Sequence, residues 1–110
     1  MENFKNSFDD IPNAKITKLT LLFLENQDLF LAEFALTYPK FVHKLSKLCD
    51  TLDNRQKLVC GCIKLGIERD KIQQVLFEDN SITFKNYLYR LKMKLDSKRE
   101  TNIFDFLKNL

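Results

Sequence analysis

The chain has 110 residues, 45% of them hydrophobic and 30% charged, with a formal net charge of +3. That length supports one domain with a modest core, and ten Phe against two Gly and two Pro argue for a compact, mostly helical protein. Lys18, Glu25, Asp28 and Glu33 interrupt the apolar stretch 16–36 too often for a membrane span, and no secretory leader pattern opens the chain, so cytoplasm is the expected location.

The first thirteen residues (MENFKNSFDDIPN) have no sustained period and read as a loose arm, with Phe4 and Phe8 as its apolar groups. Residues 14–25 place Ile16, Leu19, Leu22 and Phe23 at helical spacing, although Ile16, Thr17 and Thr20 leave a strand open. Asn26–Asp28 supplies a cap for a helix over Leu29–Thr37, with Leu29, Phe30, Phe34 and Leu36 to bury. Pro39 suits the first turn of the next helix, which runs to about Cys49 through Phe41, Val42, Leu45 and Leu48. These helices, 14–50, are expected to form one compact unit with the remainder, 51–110.

Past Leu52 the punctuation is sharper. Asp53 and Gln56 form a pairing related to the capping box, and the helix they open buries Leu58, Val59, Cys62 and Ile63 before stopping at Gly66. A short helix, Glu68–Leu76, carries Ile72, Val75 and Leu76; FEDN then breaks the pattern, and Asn80 or Ser81 caps a longer helix to Leu95. In that helix Phe84, Leu88, Leu91 and Leu95 make one stripe, with Lys85, Arg90, Lys92 and Lys94 mainly off it. DSKRET is a polar connector, and Asn102–Leu110 closes as a helix with Ile103, Phe106, Leu107 and Leu110 inward.

Charge is distributed unevenly. Residues 1–40 carry four Lys and six acidic residues, net −2, whereas residues 85–99 carry six cations and one acid, net +5. Such a concentration suits an anionic partner, with a solvated basic helix as the plain alternative. Catalysis has little to stand on: His43 is the only histidine, no nucleophile sits in a Gly-rich turn, and no glycine loop cradles a phosphate. Cys49, Cys60 and Cys62 lack a disulfide-like spacing, and Cys60-Gly61-Cys62 reads as buried helix filling rather than a metal site. No enzyme activity, metal or cofactor is expected.

A scaffold helix, a short helix, a polar turn and a longer cationic helix make a helix-turn-helix, in which the last helix enters the major groove of DNA. The segment from Leu52 to Leu95 resembles the helix-turn-helix domain of LuxR-type transcriptional regulators, in the version found in Bacteroidetes regulators. The resemblance rests on Leu52, Cys60, Ile63, Leu65-Gly66, Lys71-Ile72, Leu76, Thr83 and the run from Tyr89 to Leu95. Upstream, Phe34, Pro39, Phe41 and Leu45 are similar to a segment that precedes the domain there, and 102–110 fits the family's closing helix. Three departures stand out: Gln73 where the family has Ala, a turn one residue longer after Leu76, and Glu68 where Ser or Thr usually caps.

The resemblance implies double-stranded DNA as partner, base contacts from Lys85, Asn86 and Tyr89, and phosphate contacts from Thr83, Lys71, Arg90 and Lys94. Tyr89 has an alternative role at the core edge. Asn86 is the most informative of these, because an exposed mid-helix Asn lowers helix propensity and suits a bidentate contact to adenine. A homodimer is also expected, through the last helix including Leu110 or through a second apolar surface at Leu22 and Phe23, and a regulatory partner would act on the N-terminal helices. The expected function is therefore a sequence-specific transcriptional regulator; the rival is a protein-binding adaptor that keeps the helices without binding DNA.

Overall fold

The punctuation read from the sequence organises seven helices in the computed structural model, which describes residues 11–96 and 102–110. They are α1 (Asn13–Glu25), α2 (Gln27–Thr37), α3 (Pro39–Leu48), α4 (Asn54–Leu65), α5 (Arg69–Phe77), α6 (Ser81–Asp96) and α7 (Ile103–Lys108). Among the described residues there is no strand, and none of these helices is long and apolar enough to cross a membrane. The expected arm lies outside the described residues over 1–10, as does most of the polar connector with Lys98 and Arg99.

Helix ends follow local chemistry. The Asn26 side chain accepts from the Leu29 amide at 3.1 Å, and Pro39 occupies the first turn of α3, where a missing amide hydrogen costs nothing. Asp53 and Gln56 complete a reciprocal capping box: Asp53 Oδ1 accepts from the Gln56 amide at 2.7 Å, and Gln56 Oε1 accepts from the Asp53 amide at 2.9 Å. Gly66 ends α4 at φ 94°, a left-handed conformation open to glycine without steric penalty. The residues that left a strand open lie in α1, where the Thr20 hydroxyl donates to the Ile16 carbonyl one turn back.

Two packing systems meet on α4. On one side an aromatic ladder runs Phe23, Phe30, Phe34, Tyr38, with neighbouring ring centroids 6.1, 5.6 and 4.7 Å apart and Phe41 edge-on to Phe34 at 5.7 Å. Gly61 lets α4 approach that ladder: a Cβ there would stand 3.3 Å from the Phe30 ring. Its neighbours Cys60 and Cys62 are fully buried, and burial pushes both thiols up, Cys60 to about 12. They pack as small hydrophobes.

On the other side α5 and α6 lay Ile72, Leu76, Phe84, Leu88, Leu91 and Leu95 into the core. Helix α7 runs along α4, burying Ile103 and Leu107, and Lys44 and Lys64 tie its end by donating to the Leu110 and Lys108 carbonyls at 2.9 Å each. Lys15 bridges α1 to Glu33 of α2 at 3.1 Å; its hydrogen bond and charge lower the Glu33 carboxyl from its ordinary value.

Three expected core residues are not in the core. Leu29, Leu36 and Leu48 are 43%, 77% and 41% exposed. Helix α2 is apolar around most of its circumference, so periodicity could not say which side faces inward. Phe23, expected on a second apolar surface, is instead fully buried as the first ring of the ladder, and the leucines that face outward on α1 are Leu21 and Leu24.

Candidate nucleic-acid interface

Helix α6 is 16 residues long and presents two unlike sides. Phe84, Leu88, Leu91 and Leu95 recur at steps of four, three and four, and all are buried to within 5%. Burying this stripe fixes the roll of the helix, so the opposite side is fixed as the one facing water. Lys85, Asn86, Tyr89 and Arg90 are all exposed, Tyr89 by 62%, which places it on the outer surface and not at the core edge. Lys85 and Arg90 lie to either side of the line through Asn86 and Tyr89, as 100° per residue dictates.

Thr83 stands exposed in the first turn of α6, its amide donating to Asn80 Oδ1 at 3.0 Å. Asn80 is therefore the cap, one of the two residues read for that role. Lys94 is exposed but tethered: its Nζ donates to the Thr51 carbonyl at 3.2 Å and to Gln56 Oε1 at 3.3 Å, which joins the end of α6 to the start of α4. Lys71 borders another part of the surface, a cleft between α1 and the turn after α4 that no α6 residue lines. The structure thus gathers Thr83, Lys85, Asn86, Tyr89, Arg90 and Lys94 on one helix, with Lys94 tethered to the start of α4, and sets Lys71 on a separate cleft.

The turn between α5 and α6 has its own logic. Glu78 and Asp79 both take positive φ, 51° and 62°, without being glycine. This left-handed pair is held from α5: Gln73 Nε2 donates to Asp79 Oδ1 at 2.9 Å, while the Asp79 amide donates to the Gln73 carbonyl at 3.0 Å. Gln73 and the polar turn are thus one arrangement, because the amide side chain braces Asp79. Arg55 secures the same corner from α4, donating to the Leu76 carbonyl and stacking over the Phe77 ring at 4.7 Å. The sequence reading missed Arg55, and its only local sign was a cation in the first turn of α4.

Tyr87 marks the border between the two sides of α6. Its ring packs on Phe77 at 5.0 Å, its buried hydroxyl has no hydrogen-bond partner among the described residues, and burial raises its pKa to about 12. Two further outward residues were also missed: Ile82 and Met93, 72% and 42% exposed. Their steps to Asn86 and Tyr89 would have placed them on the outer row. Among the described residues no group of three or more His, Cys, Asp or Glu gathers as a metal site. No protein-family model, no curated protein and no solved structure matches the chain.

Proposed function

We propose that the chain is a DNA-binding transcriptional regulator of LuxR-like helix-turn-helix type, with α6 as the helix that enters the major groove. The carrying observation is the division of α6: a stripe buried in the core, with the helix against α5 and α3, and an outer side on which Lys85, Asn86, Tyr89 and Arg90 stand free of the core. A groove helix needs such a division, because phosphate contacts position the module while a few forward side chains read base edges. The tether from Lys94 to α4 and the Gln73 brace at the turn favour a rigid presentation of that side.

A second reading has its own observation. Glu78 and Asp79 place two exposed carboxylates beside the start of α6, where a DNA phosphate would be repelled. An adaptor that docks a protein on the outer row has no such conflict. The deciding experiment is a mobility-shift assay on random-sequence duplex DNA at two salt concentrations, with recovery of the bound sequences. Binding that weakens steeply with salt and enriches a sequence supports the regulator. Absence of binding at low salt transfers the outer row to the adaptor.

Pairing of two chains is part of the proposal, since one such module covers a single half-site. Leu29 and Leu36 lie seven residues apart on one side of α2, both exposed, and offer an apolar strip for a second copy. Leu36→Asp is expected to shift a dimer to monomer in light scattering, at unchanged helicity. A parent chain that is monomeric at high concentration removes this element.

A further inference from the structure

We infer that the outer row of α6 reads thymine methyl groups, so that the DNA selected by this chain has an adenine contacted by Asn86 between A·T pairs contacted by Ile82 and Tyr89. The inference rests on the reading of α6 as the groove helix and adds the class of sequence it recognises.

The observation is an apolar row in the wrong place for folding. Ile82, Asn86, Tyr89 and Met93 follow at steps of four, three and four, the same spacing as the buried stripe but on the opposite side. Ile82 is 72% exposed, Tyr89 62% and Met93 42%. Single apolar residues on a surface are ordinary. Three in register on one helix, with cations on both flanks, form a patch that lacks a partner within the described residues.

The major groove contains one apolar group, the C5-methyl of thymine; its other features are hydrogen-bond donors and acceptors. A row of purely polar readers would match G·C pairs equally well. Here the central reader is an amide, whose donor and acceptor fit adenine N6 and N7. Its neighbours on the row are an aliphatic and an aromatic side chain, which fit methyl groups. From Ile82 to Tyr89 the helix advances roughly 10 Å, about three base-pair steps. Arg90 flanks the row on one side and falls toward a phosphate strand; Lys85, to which the resemblance gave a base contact, flanks it on the other side and falls instead toward the opposite phosphate strand. Size, polarity and charge therefore agree on one kind of site.

The flanking cations also argue against a second copy of α6 as the occupant, since two such helices laid together would oppose like charges. An acidic protein segment remains the competing occupant, and the experiment separates it from DNA.

The test uses the full chain and the duplex it selects from a random pool, prepared once with thymine and once with uracil at each A·T position. Uracil removes the methyl and leaves every hydrogen-bonding group in place. Affinity is expected to fall roughly four-fold for each methyl lost, the value of one buried carbon, and uracil outside the half-site should change nothing. Ile82→Ala should abolish the thymine preference at its own position alone, and Tyr89→Ala at the other. Equal binding of thymine and uracil duplexes, or a selected site without A·T pairs, overturns the inference while the DNA reading stands. A thymine preference untouched by either variant overturns the assignment to the outer row. No binding to any duplex removes the DNA reading and this inference with it.

Discussion

The two sides of α6 are built from similar residues and obey opposite rules. Inward, Phe84, Leu88, Leu91 and Leu95 are buried to within 5% as part of the core, with α6 packed against α5 and α3. Outward, Ile82, Tyr89 and Met93 repeat the same spacing while exposed, and nothing among the described residues covers them. An apolar residue in a core is explained by the transfer of its surface from water. A row of them outside a core is what the proposed partner would cover. What separates structure from function on this helix is which apolar residues already have neighbours, not which residues are apolar.

The strongest way to break that comparison is on the inward side. Phe84 is fully buried against Phe77, with ring centroids 4.8 Å apart, and Arg69 lies over its outer face at 5.5 Å. Phe84→Ala is expected to destabilise the fold by about 3–5 kcal/mol in urea unfolding, as truncation of buried aromatics does. Loss below 1 kcal/mol would mean that the stripe does not fix the roll of α6, and the outward assignment would fall with it.

On the outward side Asn86→Ala should do the reverse. Stability is expected to stay within about 0.5 kcal/mol, since the residue is exposed. Discrimination between the selected site and its variant at the adenine should fall by about 1–3 kcal/mol in competition binding. Unchanged selectivity would leave Asn86 an ordinary surface residue.

Much of this division was legible in the sequence, for a physical reason. Caps and stops are local: Asn26, Pro39, Asp53 with Gln56, and Gly66 each act within one turn of their own position, and each was read correctly. The inward stripe of α6 was legible because 3.6-residue periodicity is a direct image of one-sided burial. Helix α2 failed the same reading at Leu29 and Leu36, since a helix apolar on most sides carries no directional signal. The bond from Lys94 to Thr51 and the position of Arg55 over Phe77 span 43 and 22 residues, beyond any local pattern. Gln73 was noticed as out of place, but its purpose needed the turn it braces. For the candidate interface, the sequence nominated a helix and seven residues; six of them lie on α6, Lys94 tethered to the start of α4, Ile82 and Met93 stand exposed on the same helix, and Lys71 borders a separate cleft.

Between the two sides lies Tyr87, and it offers a smaller and sharper test. The buried hydroxyl has no hydrogen-bond partner among the described residues, so it carries a desolvation cost without compensation from them. Tyr87→Phe keeps the ring on Phe77 and removes the cost, and a gain of about 1 kcal/mol in unfolding free energy is expected. A loss of that size would show that the hydroxyl is bonded in solution and that the inward side extends past Leu88 toward the surface.

The smallest effect is expected at the turn that sets the start of α6, and it reports on both sides together. Glu78 holds φ 51° as the residue after α5, a conformation that costs an L side chain about 1–2 kcal/mol and glycine almost nothing. Glu78→Gly relieves that strain, while the added freedom of glycine in the unfolded chain takes back about 0.4–1 kcal/mol. The net gain should be about 0.5 kcal/mol in thermal unfolding, with Gln73 still bound to Asp79. The same change removes one of the two carboxylates beside the first turn of α6. If that turn meets a phosphate, non-specific DNA affinity should rise at low salt, and the rise should shrink at high salt as screening takes over. If the outer row instead receives a protein, the variant should gain stability without gaining affinity for DNA. Stability and affinity that both stay at parental values would mean that Glu78 is not held at positive φ, and that the Gln73 brace does not set the angle at which α6 leaves the turn.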